Sequence, residues 1–492
     1  MTAAPAETKE KKPLHRHIDD NKSELDHQLG VGVTYDVAVH EFIVAEKKLL
    51  LYYINGFADS QLVTMIMRDL NDLKDRDWQT DVFDDLYHKY IPYFQLATVK
   101  TTDEFIDKLL VGQVGIIIDG ETRGIIIDAK IFPGRTPEEP DTERIVRGAH
   151  DGFTETLVIN TALTRRRIRD ERLRFEVVQI GQRSKTDVAI AYIKDVANPK
   201  LVDEIKERLQ NIKVDGIPMA EKTVEEFIIG KSWNPFPLVR YTERPDVVAI
   251  HLLEGHVLLF VDTSPSVMIT PTTYFHHVQH AEEFRETPVV GAYLRWVRFL
   301  GILASIFLLP LWILLVMHPG YVPDSLDFIG LKKTGSIPLL VQFLIAEIGL
   351  DLMRMAAIHT PTPLATAMGL IAAILIGEVA INVGLFAPEV ILYIAVAAIG
   401  TYATPSYELG LANRLTRIFL VLMTGIFALT GLMAGLAAIL IVLALTRSLN
   451  TPYLWPFIPF NYKAFKDTLI RMPIPMKGKR PSIVRGQNPY RQ

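Results

Sequence analysis

At residues 299–317 the chain reads FLGILASIFLLPLWILLVM, a stretch of 19 residues without a charged side chain. A helix of this length crosses roughly 30 Å of hydrocarbon, so the stretch predicts a membrane-spanning helix. Tyr293, Arg295, Trp296 and Arg298 stand directly before it. Aromatic and basic residues of this kind flank the cytoplasmic end of a span, which makes the chain a predicted integral membrane protein.

A second uncharged run follows near the C-terminus, between Arg417 and Arg447. Its 29 residues, 418–446, exceed one perpendicular crossing, which predicts a tilt or a bend. Gly431 and Gly435 form a GxxxG pair within it, and small residues at this spacing allow close helix contact.

Three weaker apolar segments, 337–358, 364–386 and 390–404, lie between these two runs. The tail at 447–492 holds 9 Lys and Arg against 1 Asp or Glu, which favours the cytoplasmic side. Five crossings would put that tail outside. We therefore expect four crossings, with the segment that contains Glu347 re-entrant or lying in the interface.

The N-terminal part has a different composition. Residues 1–288 hold 36 Lys and Arg against 48 Asp and Glu, whereas residues 289–446 hold 7 of each. Residues 1–22 contain no apolar core, so no signal peptide is expected and the acidic part should stay in the cytoplasm. The chain has no cysteine, which excludes disulfides and thiolate chemistry.

Short apolar runs and turn residues predict a mixed α/β fold for this N-terminal part. VGIIIDGETRGIIIDAK (114–130) is typical of a hairpin that turns at Asp-Gly, and 45–54, 175–193 and 247–263 are further β-like runs. Residues 200–210 have helical spacing, and 133–144 is typical of a linker. The predicted organisation is a flexible N-terminus (1–40), two small α/β subdomains (41–135 and 136–288), an α-helical polytopic membrane bundle (289–446) and a basic cytoplasmic tail (447–492).

Two groups of ionisable residues interrupt the apolar segments. Glu347, Asp351 and Arg354 share one helix face, which predicts a salt-bridged polar network within the membrane. Glu378 and Asn382 share another face, beside a stripe of small residues suited to tight helix packing. The stripe consists of Ala365, Gly369, Ala373 and Gly377. If copies of this helix surround an axis, Glu378 and Asn382 line a cation pore; otherwise Glu378 is buried and hydrogen-bonded or protonated.

The sequence gives little support for a metal site, a catalytic site or nucleic-acid binding. His276, His277 and His280 have a spacing that suits a metal, but the absence of a well-placed carboxylate favours a packing or interfacial role. The serines of DTSPS (262–266) have no identifiable base, so no catalytic residue, enzyme activity or cofactor is predicted. Beyond the basic tail nothing favours nucleic acid as a partner.

Several ordered blocks resemble the GerA family of spore germination proteins over about residues 45–470. They are RGAHDGFTETLVINTALTRRRI (147–168), IGQRSKTDVAIAYI (180–193), LLEGHVLLFVDTSPSVMITPTTYF (252–275), IGEVAINVG (376–384) and ATPSYELGLANRLTRI (403–418). The length, the short N-terminus and the tail favour a sporulation branch of the family over a nutrient-receptor A subunit. Members often have Gln at the positions of Glu378 and Asn382.

The resemblance implies a multi-pass protein of the spore inner membrane, with its N-terminal part and tail on the core side. It further implies a homo-oligomer, pentamer-like, that forms or joins an ion channel releasing monovalent cations during germination. Membrane lipid and other germination proteins of the spore membrane are the expected partners. Two alternatives stay open: a proton-coupled transporter that uses Glu347, Asp351 and Glu378, and a non-conducting scaffold.

Overall fold

A computed structural model describes residues 12–73, 81–91, 95–129, 131, 139–140, 143–230, 233–321, 330–332, 335–359, 369, 378–476 and 478–490. The chain divides into two compact units. The first, called here the α/β unit, comprises Met1–Lys231, Tyr241–Pro271 and Lys477–Gln492. The second, the helical unit, comprises Ser232–Arg240 and Thr272–Met476.

The first sheet of the α/β unit has five strands in the order β1-β2-β4-β5-β3, paired antiparallel. The strands are β1 Val37–Val44, β2 Lys47–Ile54, β3 Leu96–Val99, β4 Val114–Ile118 and β5 Gly124–Ile127. Helices α1 (Ile18–Leu29) and α4 (Thr102–Leu110) cover one face, and α2 (Ser60–Asn71) and α3 (Val82–Asp85) cover the other. Burial on both faces explains why β4 and β5 are continuously apolar.

The predicted hairpin at 114–130 is confirmed. Strands β4 and β5 pair from Val114 with Ile127 to Ile117 with Gly124. Gly120 has φ +88°, a left-handed conformation that the Asp-Gly turn requires.

The second sheet also has five strands, in the order β6-β7-β9-β10-β8. Its strands are β6 Leu173–Ile180, β7 Thr186–Ile193, β8 Arg240–Thr242, β9 Val257–Val261 and β10 Val267–Thr270. The accompanying helices are α5 Leu157–Arg167, α6 Pro199–Gln210, α7 Ala220–Ile229 and α8 Pro245–Glu254. The α/β fold predicted for the N-terminal part is thus confirmed, as is the helix at 200–210.

The β-like interpretation of 247–263 is wrong in its first half, where α8 extends to Glu254. Pro245 occupies the first turn of this helix, and Gly255 ends it with φ +98°. Residues Val247, Val248 and Leu252 are buried. A short apolar run of this kind has no period that separates a buried strand from a buried helix, so the terminating residues decide the structure.

The two sheets share both strand order and sequence pattern. YINGFAD (53–59) runs from the end of β2 to the residue before α2. YIKDVAN (192–198) runs in the same way from the end of β7 to the residue before α6. LLVGQV (109–114) joins α4 to β4 as LLEGHV (252–257) joins α8 to β9. The α/β unit is therefore built from two subdomains of the same topology.

The C-terminal segment of the chain completes the second subdomain. In the first subdomain the N–H of Ile131 donates to the carbonyl of Phe57 at 2.6 Å. Val196 holds the place of Phe57 in the second subdomain, and its carbonyl accepts instead from Gln487 N–H at 3.1 Å. Ile483 and Val484, a few residues earlier in the same segment, have buried side chains. Part of the basic tail is thus packed onto the α/β unit.

The helical unit contains seven α-helices among the residues described. They are α9 Tyr274–Val278, α10 Pro288–Met317, α11 Leu339–His359, α12 Ala380–Asn382, α13 Pro388–Tyr402, α14 Tyr407–Leu445 and α15 Tyr462–Leu469. Residues of α10, α11, α13 and α14 share an apolar core around Trp312, Phe343 and Ile394. Two helices, α10 and α14, are long and apolar enough to cross a membrane by length and composition. A bundle with four crossings stays a prediction.

The bend predicted for 418–446 is confirmed and lies at Ala428, which has φ 53° and ψ −136° inside α14. Beyond it, a Cβ on Gly431 would overlap the carbonyl of Met423, and one on Gly435 would lie 3.0 Å from Leu420. Residues eight positions apart in a continuous helix are separated by about 12 Å. The two halves of α14 therefore fold back on each other, with both glycines at their contact.

Replacing Ala428 with glycine is expected to stabilise the protein by about 1 kcal/mol, because glycine adopts this positive φ without steric penalty. Urea or thermal unfolding in detergent measures the change. The matched control is Ala437→Gly on the exposed face of the second half of α14, which should destabilise by about 1 kcal/mol. Equal destabilisation by both substitutions would contradict the strained bend.

Candidate functional site

A buried charge network lies at the centre of the helical unit. Glu347 of α11 is 4% exposed. Its carboxylate accepts hydrogen bonds from Arg414 Nε at 3.1 Å and from Arg417 Nε and Nη2 at 2.7 and 3.0 Å. Both arginines belong to α14, three positions apart and so on one face of that helix. The Glu347 carboxylate is thereby held between two guanidinium groups.

Arg417 extends this network to two further helices. Its Nη1 donates to the carbonyl of Ser305 in α10 at 2.8 Å and to Thr401 Oγ1 in α13 at 3.1 Å. The side chain is 2% exposed. One guanidinium therefore joins α10, α11, α13 and α14, and its hydrogen bonds compensate for the removal of the charge from water.

Asp351 and Arg354 are the other two predicted members of the polar network. Asp351 pairs with Arg414 and is half exposed. The guanidinium of Arg354 lies over the ring of Tyr407, 4.4 Å from its centroid. Two carboxylates thus face the two arginines of α14, and the network is neutral overall.

Arg414 and Arg417 are members of the buried charge network that sequence reasoning missed. Arg417 was interpreted as the flank of an apolar run, whereas it is buried among four helices. The signal was present in NRLTR (413–417), where two arginines on one helix face adjoin a long apolar run. Their partners, Glu347 and Asp351, stand at helical spacing on another apolar segment.

Glu378 and Asn382, unlike Glu347, are exposed in the single chain. The backbone is π-helical at Glu378 and Val379 before α12 begins, a local form that often occurs at functional sites. Val379 and Val383 are exposed beside them, whereas Ala380 is buried. The exposed face is therefore apolar with one carboxylate and one amide.

Of the small-residue stripe only Gly369 is described, with open space where a Cβ would stand. Ala365, Ala373 and Gly377 lie outside the described residues.

The three histidines of the cluster are held by hydrogen bonds or burial in the protein. His276 Nδ1 bonds to Thr273 N–H at 3.1 Å, and Arg240 donates to the His276 carbonyl at 2.8 Å. His280 caps the following turn by accepting from the N–H of Glu282 at 3.3 Å. Burial, with the charge of Arg240, lowers the pKa of His277 to about 3. His277 is accordingly neutral at physiological pH.

A second buried ion pair fixes the beginning of α10. Glu283, fully buried, accepts from Arg295 Nε at 2.8 Å and also pairs with Arg298. Arg295 also donates to the carbonyls of Asp467 and Thr468, which lie in the last turn of α15 within the same unit. Tyr293 and Trp296, predicted with these arginines as an interfacial anchor, are exposed at 66% and 48%. The arginines therefore tie α10 to the chain on either side of it.

Comparison with known proteins places the chain in a family. A sequence profile described as Bacillus/Clostridium GerA spore germination protein matches residues 23–483. Stage V sporulation protein AF of Bacillus subtilis (strain 168) is 52% identical over 488 residues, 99% of this chain and 99% of that protein. The B. subtilis uncharacterized membrane protein YfkQ is 30% identical over 80% of this chain and 77% of its own length.

A crystal structure, of the N-terminal domain of the A subunit of the Bacillus megaterium spore germinant receptor GerK3, aligns with 54% of this chain and 99% of its own. Its sequence identity is 27% and its TM-score is 0.42. The family resemblance predicted from the ordered sequence blocks is confirmed by the profile and by the relatives that match most of the chain. This protein belongs to the GerA family of spore germination proteins.

Proposed function

We propose that the protein is an oligomeric, pentamer-like ion channel or channel subunit of the spore inner membrane that promotes release of monovalent cations during germination. In this proposal the helical unit crosses the membrane several times, and the α/β unit and tail lie on the core side. Two long apolar helices and similarity to a protein named as a membrane protein support the location.

The exposure of Glu378 carries the proposal. A carboxylate that faces hydrocarbon is costly, so a charged side chain on an apolar exposed face requires a polar neighbour or water. Several copies of the chain around an axis would supply both, because each Glu378 would then face an aqueous path. Asn382, one helical turn further, would continue the polar lining. A ring of carboxylates favours cations over anions.

The buried network has a different part in this proposal. Glu347 and Asp351 are already neutralised by Arg414 and Arg417, and Arg417 donates to groups on two more helices. Such a network holds helices in position and leaves little capacity to bind a passing ion. It forms the framework that would support a conducting face elsewhere.

Replacing Glu378 with glutamine should reduce cation flux through purified protein in liposomes by about tenfold, because fixed negative charge concentrates cations by about that factor or more. The amide keeps the size and polarity of the side chain, so assembly should be unchanged by size-exclusion chromatography. Glu104→Gln, an exposed carboxylate on α4, is the matched control and should leave flux unchanged. Equal flux in wild type and a correctly assembled Glu378→Gln variant would remove Glu378 from the mechanism.

The same assay separates the two alternatives. A proton-coupled transporter would give saturable flux driven by a pH gradient, in place of electrodiffusion. A scaffold would give no flux in any reconstituted assembly, alone or with other germination proteins. The acidic composition of residues 1–288 is the feature that a scaffold would use to gather partners.

A further inference from the structure

A group of exposed aromatic and apolar side chains lies after the second long helix. Phe457, Ile458, Phe460 and Tyr462 are between 41% and 71% exposed. Lys463 and Lys466 follow in α15 and are exposed as well. These six residues are called here the aromatic–lysine surface.

The surface is held in a fixed arrangement. Phe457 stacks on Phe275 with ring centroids 4.9 Å apart, and Phe465 meets Phe457 edge-on at 4.9 Å. Phe460 lies 5.6 Å from Phe465. Asn461 caps α15 by accepting from Ala464 N–H at 3.1 Å. Ring packing and the helix cap thus keep apolar groups exposed to the surroundings, an arrangement typical of a binding surface.

Charge and position indicate what covers it. Lys463 and Lys466 are three positions apart and share one face of α15. The part of the tail that belongs to the helical unit, residues 447–476, contains 4 basic residues and 1 acidic residue. The segment also follows α14, whose last turns expose Leu440, Ile441 and Leu445. Protein interfaces are depleted in lysine at their centres, whereas aromatic rings next to lysines are typical of the boundary between acyl chains and headgroups.

We propose that the aromatic–lysine surface rests on an anionic lipid bilayer, with Phe457, Ile458 and Phe460 at the acyl boundary and the two lysines among the headgroups. This inference rests on the proposed membrane location of the helical unit and adds a specific lipid-binding surface to it. Its effect is to hold the beginning of the basic tail against the membrane, where anionic lipid attracts each lysine.

The absence of cysteine in the chain permits a direct test. Phe460→Cys, labelled with a nitroxide, reports accessibility to oxygen, which concentrates in lipid, and to a water-soluble nickel chelate. Leu311→Cys in α10 is the reference for the bilayer, and Val146→Cys in the α/β unit is the reference for water; both side chains are exposed. The full-length protein is reconstituted in vesicles of phosphatidylcholine with or without phosphatidylglycerol.

In phosphatidylglycerol vesicles the label at 460 should favour oxygen over nickel, close to the value at 311. The double substitution Lys463→Gln, Lys466→Gln should shift the label at 460 toward the value at 146 and leave the label at 311 unchanged. A label at 460 that matches the water reference, while 311 reports lipid, would overturn the inference alone. Shielding from both reagents would also overturn it, in favour of a second copy or a protein partner. A water-exposed label at 311 would instead refute the membrane location.

Discussion

Replacing Arg417 with methionine is expected to lower the free energy of unfolding by about 3–5 kcal/mol, because it leaves a buried carboxylate without one of its two cations. Methionine preserves the length of the side chain but removes the hydrogen bonds to Glu347, to the Ser305 carbonyl and to Thr401. Four helices lose their common contact as a result. Chemical unfolding in detergent, followed by tryptophan fluorescence, measures the loss.

Two further variants isolate the charge effect. Arg447→Met removes an exposed arginine two residues after α14 and should change stability by less than about 0.5 kcal/mol. The double variant Glu347→Gln, Arg417→Met should lose less than the sum of the single losses, since its first substitution removes the carboxylate that the second leaves unpaired. Additive losses would show that Arg417 stabilises the helices independently of its pairing with Glu347.

Arg165→Met is expected to destabilise the α/β unit by a comparable amount, about 3–5 kcal/mol. Arg165 and Asp36 are 1% and 2% exposed, and their closest atoms are 3.0 Å apart. The guanidinium also donates to the carbonyls of Asp170 and Leu173 at 3.0 and 3.1 Å. Its loss removes the guanidinium paired with the buried carboxylate of Asp36 and one donor from each of the two carbonyls. Circular dichroism during thermal unfolding of the full-length protein measures the effect.

A conservative substitution tests the geometry of this pair. Arg165→Lys keeps the charge but has a single ammonium group in place of a planar fork, so it should recover only part of the loss. Arg169→Met removes an exposed arginine just after α5 and should be nearly neutral. Full stability of Arg165→Lys would show that charge alone is required at this position.

The parts of the fold that were predicted correctly have local causes. The hairpin at 114–130 follows from two apolar strands around Asp119 and Gly120, and α6 follows from its amphipathic spacing and Asn198 cap. The helix α8 was missed because both of its faces are apolar. Pro245 and Gly255 at its ends decide that this segment is a helix. The apolar run between them is compatible with a strand or a helix, and the prediction followed the run.

The candidate site was predicted only in part, because its contacts join distant residues. Glu347 was recognised as an unusual charge in an apolar segment, but Arg414, its partner, lies 67 positions away. The spacing of Glu347, Asp351 and Arg354 favoured pairing within one helix. Instead, α11 packs against α14, which brings two guanidinium groups to the Glu347 carboxylate.

By itself the sequence determined the α/β character of the N-terminal part, the two long apolar helices and the family. These features depend on residues near one another in the chain, or on ordered blocks that need no structure to be compared. Only the tertiary structure decided which charged side chains are buried in ion pairs and which are exposed. Glu347 and Glu378 both interrupt apolar segments, and they differ only in which neighbours pack beside them: Glu347 meets two arginines of another helix, whereas Glu378 remains on an open face.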